Sequence, residues 1–360
     1  MAKSNESKVL VLLIFFLFFA LCFAVFFFFY KPAPAADKWV KSGPSAYRRG
    51  IDIFSPTLLY DYQVMLYLSL DHTDGSDLRF TYLNSTTGSE IELPFWKVSN
   101  PEIGTVWDRS IARGNVVVRV PYISSEGTRI YARYGEGGAD KSDPSATYDF
   151  FDDFTSSSLD PSLWETYWNG GLQYSISQGI LHITGIVPAW NPGSLDGTIT
   201  GWHSRGVYGI GTVLEIRVSI DQSKGNNVNS GEIGYGYYIY PVNGSSASFM
   251  DVDFSSGEYD RYLLLQNATH DTGVRYHIDS SYNNWKFIRR SSASHTAVIG
   301  SFLNKTFTEG IPLDNMPVTL GGSSFSDLKG FIDYYIDYVL VRKWADQEPT
   351  YIVQGEEAKV

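Results

Sequence analysis

The sequence has one cysteine, Cys22, and it lies inside a hydrophobic run. Everything downstream therefore folds without a disulfide and without thiolate metal ligands. Long basic runs are missing as well, and the formal net charge is −11 with a pI near 5.0. Such a chain does not displace counterions from phosphate, so nucleic acid is not an expected partner. An acidic surface suits solubility or attraction of cations such as calcium. Beyond residue 45 no apolar pattern of helical period persists, and no repeat of about 20–50 residues marks a solenoid or propeller. There is no P-loop, no dinucleotide fingerprint and no Gly-x-Ser-x-Gly elbow. The histidines (His72, His182, His203, His270, His277, His295) form no i,i+4 pair, so zinc is not expected.

The longest apolar stretch is Val9 to Tyr30, VLVLLIFFLFFALCFAVFFFFY, which carries no charge. As a helix it would be about 33 Å long, enough for the roughly 30 Å hydrocarbon core of a bilayer. Lys3 and Lys8 precede it and favour a cytoplasmic N-terminus. The expectation is a single-pass anchor with the remainder outside the cell. The alternative is a signal peptide cut at the small-residue stretch Ala33-Pro34-Ala35-Ala36, which would leave a secreted protein. Residues 31–44 are Pro/Ala-rich and read as an extended linker.

Aromatics make up 16% of the chain, a composition that suits pleated sheet and not disorder. Short alternating runs recur between Gly, Pro, Asn, Asp and Ser clusters: YQVMLYLSL at 62–70, VVVRV at 116–120, VLEIRVSI at 213–220 and YIDYVLVR at 335–342. Strands at this spacing predict an all-β protein of two sandwich or jelly-roll domains behind one N-terminal transmembrane helix. The predicted organisation is 1–8 cytoplasmic, 9–30 anchor, 31–44 linker, 45–149 first sandwich, 150–345 jelly roll and 346–360 a loose tail. Asp74-Gly75-Ser76-Asp77 reads as a turn.

Two stretches carry a family resemblance. The succession YRRGIDI at 47–53, DYQV at 61–64, DGSDLRF at 74–80, VRVP at 118–121, IYARYG at 130–135 and FFDDF at 150–154 resembles the "domain of unknown function 2341" family, over about residues 45–154. It identifies a module and no activity. Residues FFDDF, then LDPSLW at 159–164, with GFID at 330–333 and IDYVLVRKW at 336–344, are similar to the frame of concanavalin A-like lectin/glucanase jelly rolls, over about 150–345. That resemblance implies that the first and last strands lie together. It also implies a structural calcium nearby, with Asp337 and Asp153 as candidate ligands; the alternative is that these aspartates cap turns or face solvent.

The same resemblance raises glycoside hydrolysis. Laminarinase-like enzymes place their carboxylates on one strand, as Glu-x-Asp-x-x-Glu or one residue shorter. Here Glu232 could stand as nucleophile, but Gly234 replaces the central Asp, and Gly236 and Tyr237 occupy the acid/base positions. No catalytic residue is assigned, and the expected function is non-catalytic binding of glycans or of surface proteins. Candidate sugar-stacking residues are Trp190, Trp202, Tyr208, Tyr235, Tyr237 and Trp285, with His203 beside Trp202. Tyr235 and Tyr237 share a sheet face, and that face is either an exposed ridge or part of the core. The clustered carboxylates Asp251, Asp253, Glu258 and Asp260 fit either catalysis or a solvated face. Sequons at Asn84, Asn243, Asn267 and Asn304 suit glycosylation of an exported chain; Asn5 also matches but precedes the anchor. A structural envelope or filament component is the remaining alternative.

Overall fold

The computed structural model describes residues 47–84, 88–166, 171–187, 198–221, 230–237, 248–255, 260–267, 270–277, 281–324 and 330–358. The expectations for the anchor at 9–30, the linker, Trp190, Asn243 and Glu258 lie outside these residues. Among the described residues no helix is long and apolar enough to cross a membrane.

The first sandwich begins with β1 (Tyr47–Phe54), β2 (Leu59–Ser69), β3 (Arg79–Leu83), β4 (Glu90–Leu93), β5 (Phe95–Lys97), β6 (Arg113–Ile123) and β7 (Thr128–Tyr134). The run Val116-Val117-Val118 shows how pattern becomes structure. β-Branched side chains favour the extended backbone, and alternation sends Val116, Val118 and Val120 into the core while Val117 takes the other face. Asp74–Asp77 forms the expected turn between β2 and β3. Asp74 Oδ1 accepts from Ser76 N at 2.8 Å, and Asp77 accepts from Thr73 Oγ1 at 2.7 Å. Gly75 has φ +79°, and a Cβ there would lie 2.7 Å from the Trp107 ring, so only glycine fits.

After a helical turn at Pro144–Thr147, capped by Asp143, the second sandwich follows. Its strands are β8 (Phe150–Asp152), β9 (Trp164–Thr166), β10 (Leu172–Ser177), β11 (Ile180–Val187), β12 (Thr198–Ser204), β13 (Thr212–Ile220), β14 (Ser230–Tyr237), β15 (Ser248–Ser255), β16 (Asp260–Asn267), β17 (His270–His277), β18 (Asn283–Ser291), β19 (Ser294–Ile299), β20 (Leu303–Phe307), β21 (Val318–Ser324) and β22 (Gly330–Lys343). One sheet runs β10-β11-β22-β13-β18-β19-β20, with β8 also paired to β22; the other runs β17-β16-β15-β14-β21-β12-β9. The expected partnership of the FFDDF and IDYVLV segments is present, with Phe150 opposite Val341 and Asp152 opposite Val339. A fully buried Arg289 donates to the carbonyls of Tyr208, Pro312 and Asp314, fixing the 312–314 loop against this core.

The chain end corrects the sequence expectation. The segment expected as a loose tail at 346–360 instead holds a strand: β23 (Thr350–Ala358) pairs antiparallel with β1, from Phe54 opposite Thr350 to Tyr47 opposite Ala358. Tyr351 and Val353 pack on the first core, and the Tyr351 hydroxyl accepts from Tyr67 N at 2.8 Å. The first sandwich is therefore the five-stranded sheet β23-β1-β7-β3-β4 against β2-β6-β5, and the second is an insertion between β7 and β23.

Where the two meet, a third apolar cluster joins Trp96, Val98 and Val117 to Tyr148, Phe151, Tyr338 and Leu340. Trp96 stands 5.0 Å from Phe151, ring centre to ring centre. Beside it lies a chain of ion pairs. Glu215 on β13 receives Arg342 Nε at 2.8 Å and Lys286 Nζ at 2.9 Å. Arg342 Nη1 reaches Glu348 at 2.9 Å, and Glu348 accepts from the Tyr62 hydroxyl of the first sandwich at 2.7 Å. Burial alone would raise the Glu215 carboxyl, but Arg342 and Lys286 outweigh it and hold it below the usual range. Gln63 adds two neutral bonds, accepting from Lys343 N at 2.9 Å and donating to Thr147 O at 3.2 Å.

Removing one partner of such a pair strands the other charge. Arg342→Ala is expected to lower unfolding free energy by about 3–5 kcal/mol in urea titration of the full-length protein. A loss below about 1 kcal/mol would mean that the pair is solvated and carries little.

Candidate functional site

In the second sandwich Ile233 and Tyr235 are fully buried in the core. Strand alternation then sets positions 232, 234 and 236 of β14 on the outer face of the seven-stranded sheet. β14 lies at the centre of that sheet, between β15 and β21. Its register places Glu232 opposite Asp253, Gly234 opposite Asp251 and Gly236 opposite Phe249. On the other side Glu232 faces Gly321 and Gly234 faces Thr319. One strand further, Gly321 faces Gly201 and Thr319 faces His203. Directly opposed Cβ positions in an antiparallel pair are about 4.5–5.5 Å apart. The outer face thus has a centre where glycines alternate with acidic positions. His203 is 4% exposed, and burial lowers its pKa to about 4, so it is neutral at ordinary pH.

The aromatic candidates fall elsewhere. Trp202, Tyr208, Tyr235 and Trp285 are all buried and belong to the second core, which settles the choice between ridge and core in favour of the core and corrects the stacking expectation for these four. The Tyr235 ring lies beneath the Arg289 guanidinium at 5.7 Å, and its hydroxyl meets Thr212 Oγ1 at 3.1 Å. Trp202 makes an edge contact with Tyr174 at 5.3 Å. Tyr237 is the last residue of β14, and Trp190 lies outside the described residues. The sequence held a signal for this outcome: Ile233 and Tyr235 alternate against Glu232, Gly234 and Gly236, and the apolar pair packs inward.

The two calcium candidates are each engaged within the protein. Asp337 accepts from Arg217 Nη1 at 2.9 Å and from Asn100 Nδ2 at 3.4 Å. A guanidinium in that position competes directly with a bound cation. Asp153 accepts from Thr155 Oγ1 at 3.0 Å, the turn-capping alternative. Among the described residues no group of three or more His, Cys, Asp or Glu side chains is placed to hold a metal ion. Neighbouring Asp152, not singled out from sequence, fixes the start of the jelly roll: it accepts from Trp164 Nε1 at 2.7 Å and from Phe154 N at 2.8 Å, while burial pushes its pKa up. Another pair missed in the sequence is His182 with buried Asp333, 2.8 Å apart on the outer face of the other sheet. Of the sequons, Asn304 is exposed on β20, Asn84 is half-buried at the turn after β3, and Asn267 ends β16.

Residues 74–167 match the family described as "Domain of unknown function (DUF2341)". No curated protein matches the chain. Solved structures similar to it include a beta-1,3-1,4-glucanase (lichenase) derived from a mouse hindgut metagenome, at 16% identity over 54% of this chain and 99% of that one, with a TM-score of 0.40. LamAcat from Zobellia galactanivorans is 12% identical over 54% and 97%, TM-score 0.41. The Bacillus licheniformis beta-glucanase is 15% identical over 54% and 98%, TM-score 0.39. The family match covers residues 74–167, and the similarity to solved glucanase structures covers about half of the chain.

Because Tyr235 is core, Tyr235→Ala is expected to cost about 3–5 kcal/mol of stability. Tyr235→Phe, which removes only the hydroxyl, is expected to cost about 1 kcal/mol. Chemical denaturation of both variants checks this; a Tyr235→Ala protein as stable as wild type would put the ring at the surface.

Proposed function

We propose that this is a cell-surface protein, anchored by residues 9–30, whose second sandwich binds carbohydrate on the outer face of its seven-stranded sheet without cleaving it. The observation that carries the reading is the register at the sheet centre, where Glu232, Asp253 and Asp251 alternate with Gly234, Gly236 and Gly321. Glycine lets a ligand approach the backbone closely, and carboxylates accept hydrogen bonds from sugar hydroxyls. A face of this kind recognises a neutral, hydroxyl-rich chain through its oxygens.

The non-catalytic part of the reading rests on the same strand. Retaining hydrolysis needs a nucleophile and an acid/base about 5–5.5 Å apart. β14 offers one carboxylate, Glu232, and glycine at the next two positions of its face. A hydrolase is the second reading, favoured by one specific feature: Asp253 stands directly across from Glu232, so the partner could come from β15.

A glycan array probed with full-length protein, in a detergent without a sugar headgroup, separates these readings. Binding to at least one glycan class is expected, weakened tenfold or more by Glu232→Ala with Asp253→Ala, and no reducing sugar is released. Absence of any ligand across a broad array contradicts carbohydrate binding. Release of reducing sugar that disappears in Glu232→Gln establishes the hydrolase.

A further inference from the structure

The junction between the sandwiches holds a second space, on the opposite side of the jelly roll from the acidic face. It is a cavity of about 420 Å³ with walls from both sandwiches, within the range of small-molecule sites. Its charged groups are already committed. Glu215 is held by Lys286 and Arg342, Glu348 by Arg342 and Tyr62, and Glu102 by Arg217 at 3.2 Å. Every carboxylate of the lining is already paired with a base.

The uncommitted groups are neutral. Tyr148, just before β8, and Tyr338, on β22, both line the cavity, and each is only 3% exposed. The Tyr148 ring is fixed by stacking on Phe151 at 5.6 Å and by an edge contact with Trp96 at 5.9 Å. Neither hydroxyl hydrogen-bonds to a described residue, and for both burial is the leading cause of a raised pKa. Both phenols line the cavity with their hydroxyls bonded to no described residue, so a guest there meets two groups able to donate or accept. The Asn284 side chain also lines the space and offers both an acceptor and donors. Met65, Ile103 and Leu340 give it apolar wall.

We propose that this cavity binds a neutral, polyhydroxylated small molecule of about one sugar ring, held by the Tyr148 and Tyr338 hydroxyls and the Asn284 amide against the apolar wall. Each phenol can donate or accept, the amide can do both, and the closed ion pairs disfavour a charged guest, which would have to break one of them. The site is distinct from the acidic face and does not depend on it.

Ligand-observed NMR and calorimetry on the full-length protein, in the same sugar-free detergent, test this. The probes are the methyl glycosides of glucose, galactose and mannose, N-acetylglucosamine and myo-inositol. At least one is expected to bind, with affinity reduced tenfold or more by Tyr148→Phe with Tyr338→Phe, which keeps both rings and the junction packing. Asn284→Ala gives an independent, smaller loss. The proposal is overturned if no probe binds, leaving a water-filled cavity. It is equally overturned if binding survives the double variant, or if Glu232→Gln abolishes it and the double variant does not, which assigns the ligand to the outer face.

Discussion

Arg342 is the residue on which the arrangement turns. It sits near the end of β22, the long strand that pairs with β8, β11 and β13 and so ties the eight-stranded sheet together. Burial opposes its charge, yet Glu215 and Glu348 more than compensate, so it stays protonated throughout the accessible pH range. A buried guanidinium cannot be left alone. Its carboxylate partners are thereby committed as well, one on the jelly roll and one on the segment that leads into β23. Through Glu348 the constraint reaches Tyr62 in the first core. The direction of the chain out of the jelly roll is therefore dictated by charge pairing as much as by packing.

This has a consequence for the whole molecule. The jelly roll is attached to the first sandwich at both of its ends, by the segment before β8 and by β23, and not tethered by one linker. Trp96, Tyr148 and Phe151 fill the contact with apolar surface, while Arg119 and Lys343 meet Asp149 at 3.0 Å each. A junction so committed leaves the outer face of the other sheet, with Glu232 at its centre, pointing away from the first sandwich. The acidic face and the junction cavity are consequently separate features built on opposite sheets of one domain.

Much of this was legible in the sequence. Alternation identified the strands, the Asp74–Asp77 turn followed from its residue types, and the pairing of FFDDF with IDYVLV was implied by the jelly-roll resemblance. What alternation cannot give is which face of a strand is covered. Glu215 and Arg217 alternate with the core residues Leu214, Ile216 and Val218, and the first sandwich lies over their side of the strand. The reverse holds for Tyr235 and Trp202, whose exposure was open from sequence and whose rings fill the core. The pairing of β1 with β23 joins residues some three hundred positions apart, and TYIVQGEEA has too little apolar character to announce itself as a strand. Its partner is an edge whose backbone groups needed satisfying, a requirement visible only once the sheet is assembled.

β23 completes the first sandwich, so both sandwiches form one body. Amide hydrogen exchange on the full-length protein measures this directly. The β23 and β1 amides that pair with each other are expected to be protected together and to open with the same free energy as the amides of β22. Rapid exchange along residues 350–358, with β1 behaving as a free edge, would contradict the account.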